Sequence, residues 1–566
     1  MRVSSVNRLL IAIMLVLLVS FTSPLVNAKS EIVINSRDWH EVYSGLLYSG
    51  LRENNEITHY VLPDTGQGVA LYQEGIIDRN NSVILIESKN PAIFGYESQL
   101  IGARYNVSEV ISEDNLNFEL GKKITESKNI KKFIILDGAL GYDSIAIAPY
   151  ALLTDSYVFY ADKNNMNQIT GFLEEKADKV LIYGRVEREV REKLKKFNPE
   201  TINNEDRYLD NIEIVKKFIE LTNVSQITLT EGDFMETGLF TEEFPSLLIG
   251  TSNIPDSVMD YLDNSEIKAA IVIGYDLYDN ALQIRRATGI RVFLKYGMGL
   301  VGNTDPVGKV YALNNYPIPG YTPEITIKDV RYNTLTKQLE VIYENKGDVY
   351  TYFRALSHDL RINNNTIKAV GDQEALFIEK KSTVATLYDL DLTNYTGEKI
   401  TAFSKVAFGE GKSSLAFLLE ENRKINTIAL KDNSKIEIRK IEYNKQTKRF
   451  ELEIENTEEE SVYANPEIVD LIINDEKTTI GGEQQRIPPK SKKIFKIKAN
   501  LDLVDIEDNP LINIKIRYGS REDALIKSLK EERDLKIKTD MTLILIIAAV
   551  VALLIIAFIL MRKRQH

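Results

Sequence analysis

One stretch of the sequence occurs twice, and its pattern limits the second half of the chain to β-structure. ITIKDVRYNTLTKQLEVIYEN begins at Ile325, and IEIRKIEYNKQTKRFELEIEN begins at Ile436. In both copies apolar residues alternate with polar ones on either side of a Tyr-Asn-x-x-Thr-Lys turn, which is the pattern of a β-hairpin. The duplication predicts two tandem β-sandwich domains, residues 323–428 and 429–528, each of about 100 residues.

The first half of the chain has a different pattern, in which short apolar runs recur between amphipathic helical segments. Typical runs are SVILIES, KFIILDG, KVLIYG and AAIVIGY. Strands that are apolar on both faces and alternate with helices are typical of a largely parallel α/β sheet. A strand, a short acidic loop and a helix recur three times. We therefore predict a multidomain chain with an α/β head over residues 29–319, made of three related units at about 31–125, 126–222 and 223–319.

Both ends of the chain are hydrophobic and predict export and anchoring. Arg2 and Arg8 precede an apolar run and a small-residue cleavage site, which indicates a signal peptide over residues 1–28; an uncleaved anchor is the alternative. Residues 541–561 carry no charge and are long enough for one transmembrane helix. A charged linker is predicted at 529–540. The basic residues after the span predict a cytoplasmic tail at 562–566, and therefore a single-pass cell-membrane protein with extracellular N-terminal domains.

Composition argues against several functions. Lys and Arg number 70 against 82 Asp and Glu, and the formal net charge of −12 argues against a nucleic-acid partner. The chain has no cysteine, which excludes disulfides, thiolate metal sites and a cysteine nucleophile. Its four histidines are scattered without metal-ligand spacing. We therefore predict no cofactor, no metal site and no catalytic residue.

Asn-x-Ser/Thr sequons are candidate glycosylation sites in an exported chain. Five such sequons begin at Asn80, Asn106, Asn223, Asn364 and Asn394.

The middle unit of the head resembles a known repeat. GYDSIAIAPYALL, KVLIYGRVEREVREKL and the later NEDRYLDNIEIVKKFI together resemble the cell wall-binding repeat type 2. The matching positions are Asp137, Gly141, Asp143, Pro149, Gly184, Asp206, Arg207 and Tyr208. The outer two units match less well. The resemblance implies α/β units that occur in triplets and attach surface proteins to anionic cell-wall polymers, with relatives in archaeal S-layer and envelope proteins. The two β-sandwich repeats resemble the Ig-like or CARDB-like stalk domains of surface proteins.

The resemblance places a candidate polymer-binding rim at the first loop of the middle unit. Its residues would be Asp137, Gly138, Gly141, Tyr142, Asp143, Gly184 and Arg185. We expect a non-enzymatic surface protein, anchored in the lipid bilayer, that binds an envelope polymer or S-layer protein and takes part in envelope assembly; a homo-oligomer is possible. One alternative is a surface receptor or solute-binding protein with its ligand at the carboxyl ends of the head's strands. Another is an envelope hydrolase that uses carboxylates there.

Overall fold

The computed structural model describes residues 30–52, 56–274, 277–296, 315–395 and 397–538. The chain divides into two compact units, Met1–Ile249 with Ser257–Gly320 and Gly250–Asp256 with Tyr321–His566. The predicted signal peptide, transmembrane span and tail lie outside the described residues. Among the residues that are described, none of the helices is both long and apolar enough to cross a membrane.

The first compact unit contains three four-stranded parallel sheets, and all three have the same strand order. The first sheet is built from β1 (Ser30–Asn35), β2 (Ile57–Tyr60), β3 (Ser82–Glu87) and β4 (Asn106–Ile111). The second sheet is built from β5 (Lys132–Leu136), β6 (Ser156–Tyr160), β7 (Lys179–Tyr183) and β8 (Glu200–Ile202). The third sheet is built from β9 (Gln226–Thr230), β11 (Ser246–Leu248), β12 (Ala269–Gly274) and β13 (Arg291–Tyr296). In each sheet the first strand lies between the second and the third, and the fourth strand is at the edge. The predicted head of parallel α/β units is confirmed at this level.

Helices connect these strands. They are α1 (Trp39–Leu51), α2 (Gln67–Gln73), α3 (Tyr96–Gly102), α4 (Leu116–Lys128), α5 (Tyr142–Leu153), α6 (Met166–Lys176), α7 (Arg188–Leu194), α8 (Arg207–Thr222), α9 (Asp256–Asp263) and α10 (Tyr278–Thr288). Helices α4 and α8 lead from one sheet to the next. Polar caps set their starts, because the side chain of Asn115 accepts the N–H of Phe118 and that of Asp206 accepts the N–H groups of Tyr208 and Leu209.

The third sheet departs from the predicted pattern of strand, loop and helix. After β9 the chain forms the short strand β10 (Phe234–Met235) and a 3₁₀ turn (Thr237–Leu239) where the sequence pattern predicts a helix. Gly232, in the loop after β9, has φ of +83°, a backbone conformation that glycine adopts readily. Strand β10 then pairs antiparallel with β14 (Tyr316–Pro317). Its backbone groups therefore form hydrogen bonds with a distant strand in place of the bonds that they would form within a helix.

The second compact unit consists of largely antiparallel sheets with two separate hydrophobic cores. The first pair of sheets uses β15 (Ile325–Asn333), β16 (Gln338–Asn345), β17 (Thr351–Ile362), β18 (Asn365–Val370), β19 (Leu376–Ile378), β20 (Thr383–Asp389), β21 (Thr401–Gly409), β22 (Phe417–Lys424) and β23 (Asn426–Ile428). The second pair uses β24 (Ile436–Asn444), β25 (Arg449–Asn456), β26 (Val462–Ile473), β27 (Glu476–Gly481), β28 (Gln485–Ile487), β29 (Lys492–Lys498), β30 (Leu511–Gly519) and β31 (Lys527–Asp534), with the short helix α11 (Leu503–Asp508) before β30. The duplicated stretches form the hairpins β15–β16 and β24–β25, and the predicted sandwich-like architecture is confirmed.

The start of the predicted charged linker at 529–540 is a strand. Lys527–Asp534 forms β31, which pairs antiparallel with β30 along its whole length. Leu529 packs against the second core, while Lys530, Glu532, Arg533 and Asp534 of this edge strand are exposed. Lysine and glutamate at a sheet edge discourage pairing with other chains, which explains why so charged a segment is found there.

Candidate functional site

Loops from all three parallel sheets lie against one another at the carboxyl ends of their first strands. We call this region the three-loop end; its loops are 36–38, 137–141 and 231–233. His40, just after the first loop, places Nε2 at 2.8 Å from the carbonyl oxygen of Gly138 in the second. A Cβ atom on Gly232 of the third loop would lie 2.8 Å from the ring of Tyr142. The three units therefore share one end, although they are far apart in sequence.

A later segment of the chain, residues 316–320, crosses the three-loop end and bonds to each loop. The hydroxyl of Tyr316 donates to the carbonyl of Ser36 at 3.2 Å. The N–H of Gly141 donates to the carbonyl of Pro319, and the N–H of Ile318 donates to the carbonyl of Asp233, both at 3.2 Å. Residues 316–320 are therefore part of the head.

The segment explains why glycine stands at position 141. A Cβ atom there would lie 2.3 Å from Cδ1 and 2.9 Å from Cβ of Ile318, so any side chain would require Ile318 to move. Its N–H, at the start of helix α5, is bonded to Pro319. The glycine loop thus serves packing within the chain.

The predicted rim residues divide into buried and accessible groups. Gly141, Tyr142 and Gly184 are buried. Gly138 and Asp143 are half-buried. Asp137 is also half-buried, and its Oδ1 accepts the N–H of Ala139 at 2.6 Å. Arg185 is exposed, at the carboxyl end of β7.

Asp143 and Gly184 come together although they are on different elements. A Cβ atom on Gly184 would lie 2.3 Å from Oδ2 of Asp143, so the carboxylate packs directly on the backbone after β7. Gly184 also has φ of +70°, which favours glycine for a second reason. Asp143 is near the buried Tyr183, and burial, with the Asp143 charge second, holds the pKa of that phenol well above its ordinary value.

A charged and aromatic cluster lies beside the buried part of the rim. The guanidinium of Arg207 is 3.7 Å from the ring centroid of Tyr142, a cation–π contact. Burial raises the pKa of Asp233, while a hydrogen bond with Tyr142 and the charge of Arg207 act in the opposite direction. Burial likewise raises the pKa of Asp210 to about 6, against its hydrogen bonds from Asn204. Of these residues the sequence resemblance singles out only Arg207 and Tyr142. Asp233 could have been found from the sequence. It lies in the short acidic, glycine-containing loop directly after β9, as Asp137 lies in the corresponding loop directly after β5.

An aromatic stack lies at the start of helix α1, directly after the first loop, and the sequence pattern did not predict its contact with the second loop. Trp39 stacks on His40 with ring centroids 3.9 Å apart, and Tyr160 meets both rings edge-on. Nδ1 of His40 lies 2.7 Å from Oδ1 of Asp38, which also caps helix α1. The imidazole therefore joins the first loop to Gly138 of the second.

Within the described ranges there is no group of three or more histidine and acidic side chains placed to hold a metal ion. The five sequon asparagines, Asn80, Asn106, Asn223, Asn364 and Asn394, are exposed on the parts of the chain that the structure describes.

Fold and site define a class of protein in which a triplet of parallel α/β units precedes antiparallel sandwich-like sheets. No family model matches the chain, and no curated protein matches it. Membership of the type 2 repeat family therefore stays a prediction.

Among solved structures, the chain is similar to Cwp8 from Clostridium difficile, with 15% identity, 46% of this chain and 48% of that chain covered, and a TM-score of 0.37. The chain thus spans about half the length of that structure. It is also similar to the ligand binding region of Serine-glutamate repeat protein A of Enterococcus faecium, with 7% identity, 19% and 99% covered, and a TM-score of 0.14. A third similar structure is the periplasmic chaperone SfaE, with 14% identity, 38% and 100% covered, and a TM-score of 0.14.

Proposed function

We propose that this chain is a non-enzymatic surface protein whose three-sheet head binds an anionic envelope polymer at the three-loop end. The observation that carries the proposal is the threefold use of one sheet order, with the first loops of all three sheets at a common end. A repeated unit presents similar surfaces side by side, which suits a ligand that is itself repetitive. The sequence resemblance of the middle unit to cell wall-binding repeats supports the same ligand class.

In this proposal the head is exported by residues 1–28 and held at the membrane by residues 541–561, with the antiparallel sheets as spacers. The polymer contacts the accessible side of the rim, because the inner side is filled by residues 316–320. Arg185 is the exposed cation of the rim and supplies attraction for a polyanion.

Reversing the charge of Arg185 should weaken polymer binding by about tenfold at low salt. Lys179 offers a matched control, because it is an exposed residue at the opposite end of the same strand, β7. We expect Arg185→Glu to lose affinity and Lys179→Glu to keep it in co-sedimentation of the full chain with purified anionic wall polymer. Raising the salt concentration should reduce the difference between the two variants, since exposed charges are screened.

Equal polymer binding by the two variants would contradict the proposed rim. A head that ignores the polymer but binds a small solute tightly would favour the receptor alternative. Circular dichroism of both variants is the control for folding, and we expect spectra identical to that of the native chain.

A further inference from the structure

In each of the first two units, the helix that leads to the next unit forms an ion pair with the edge strand of the sheet that it leaves. Helix α4 packs on α1 and on β6 of the second sheet, and its Lys123 forms an ion pair with Glu109 of β4, the edge strand of the first sheet. Helix α8 packs on α5, and its Lys217 forms an ion pair with Glu200 of the edge strand β8 at 2.6 Å. The same lysine–glutamate contact thus occurs at the fourth strand of two successive units.

The third sheet has a phenylalanine where the other two have the glutamate. Glu109 pairs in register with Ile84, Glu200 with Leu181, and Phe293 with Ile271, in each case between the fourth and third strands. The side chain of Phe293 is 60% exposed. Among the described residues, no helix bonds to this position of the third sheet as α4 and α8 do in the others.

A cavity of about 320 Å³ opens on this face. Its wall includes Ile227, Phe244, Ile271 and Phe293, so most of it is apolar. The terminal unit of a repeat array usually presents a polar outer face, because it has no neighbour to cover it. An exposed aromatic over an apolar hollow, at the last unit, is the arrangement of a surface that another element covers.

The positive charges around Phe293 distinguish between two occupants of this face, a second copy of the chain and an acidic helix of another protein. Phe293 lies between Arg291 and Lys295 on the outward side of β13, and all three are exposed. The ammonium of Lys295 lies 3.1 Å from a carboxylate oxygen of Glu236, and Arg291 adds a second cation on the other side of Phe293. A second copy docked face to face would bring these like charges together. An amphipathic helix with an apolar stripe flanked by carboxylates would match them.

We propose that the outer face of the third sheet, around Phe293, is a docking site for an acidic amphipathic helix supplied by another protein. The helix would lie beside the fourth strand of the third sheet, as α4 and α8 do in the first two units, with an apolar residue where those helices carry lysine. This interaction surface is separate from the polymer rim and does not depend on it.

The chain itself supplies a probe. A labelled peptide of residues 207–222 with Lys217→Leu reproduces helix α8 with an apolar residue opposite Phe293, and it keeps the acidic Asp210, Glu213 and Glu220. We expect it to bind the full chain in fluorescence anisotropy and to bind the Phe293→Glu variant at least tenfold more weakly. The unaltered peptide, which retains Lys217, should show the reverse preference, because Phe293→Glu restores the lysine–glutamate pair.

Absence of binding to the native chain, or equal binding by both forms, would overturn the proposal. A second variant gives an independent measurement, because the chain has no cysteine and Phe293→Cys introduces a single thiol. We expect rapid maleimide labelling of this thiol and protection by the Leu-containing peptide. Slow labelling without peptide would assign the face to the chain's own residues, and protection that grows with protein concentration would assign it to a second copy; either result rejects the proposal.

Discussion

Replacing Arg517 by methionine should destabilise the second pair of antiparallel sheets by about 3–5 kcal/mol, because it leaves a buried carboxylate without its main partner. Glu467 and Arg517 are both buried, with Oε1 and Nη1 2.5 Å apart. Arg517 also donates to the carbonyl of Phe377 at 2.8 Å. Lys515 makes a longer contact, with Nζ 3.9 Å from Oε2 of Glu467. Hydrogen exchange of the amides of β26 and β30 in the full chain measures the loss.

The loss should be smaller in acid than at neutral pH. Burial raises the pKa of Glu467, and the charge of Arg517 lowers it again, so the variant should raise that pKa further. An acid whose folded pKa is raised holds its proton more tightly in the folded state. Stability therefore falls as the pH increases through the folded pKa.

Two further variants test the cause. Arg533→Met removes an exposed partner of Glu531 and should cost less than about 1 kcal/mol. The double change Arg517→Met and Glu467→Met should restore most of the lost stability, because no charge is left buried. Equal destabilisation by the single and double variants would show that packing, and not the unpaired carboxylate, is responsible.

The first pair of antiparallel sheets should lose about 2 kcal/mol of stability between pH 7 and pH 5 through one histidine. His358 is fully buried, with Tyr343 Oη 2.7 Å from Nε2 and Ser404 Oγ 2.7 Å from Nδ1. Burial lowers the pKa of His358 to about 4, while the charge of Asp359 acts in the opposite direction. A base with a lowered folded pKa binds protons more readily when unfolded. Stability is therefore lost as the pH falls from the unfolded pKa, about 6.5, toward the folded one.

A comparison with His358→Gln isolates this contribution. Glutamine can keep a hydrogen bond but does not titrate. The variant should therefore be less stable than the native chain at pH 7. Its free energy of unfolding, measured by hydrogen exchange of β17, should change by about 2 kcal/mol less between pH 7 and pH 5. Burial raises the pKa of Asp372, which accepts from Tyr388 at 2.9 Å and opposes part of the loss in acid. That contribution is common to both proteins and cancels. If the native chain and the His358→Gln variant showed the same pH dependence of stability, the loss in acid would have to come from groups other than His358.

The elements that the sequence predicts well are those whose pattern is local. The hairpins β15–β16 and β24–β25 follow from alternation around a repeated turn, and the parallel strands follow from short runs that are apolar on both faces. In the candidate site, Asp143 and Gly184 are predicted as members of one rim by the resemblance of the middle unit, and they are in contact.

Other features could not be read from local pattern. The 3₁₀ turn after β9 replaces a helix because β10 finds a partner in Tyr316–Pro317, about eighty residues away. Strand β31 consists mostly of charged residues, and only pairing with β30 makes it a strand. The buried ion pair between Glu467 and Arg517 could not be predicted either, because the sequence contains 82 acidic residues and does not indicate which of them is buried beside an arginine.

The sequence alone determined the types of sheet, because hydrophobic period and turn residues act over a few neighbouring positions. Tertiary structure decided which surfaces remain accessible. Residues 316–320 fill the inner side of the glycine loop at Gly141 and leave Arg185 exposed, while Phe293 lies uncovered at the edge of the third sheet. The physical reason is that the burial of a residue depends on which distant segments contact it. The contact of Pro319 with Gly141 cannot be predicted from the hydrophobic pattern of either segment.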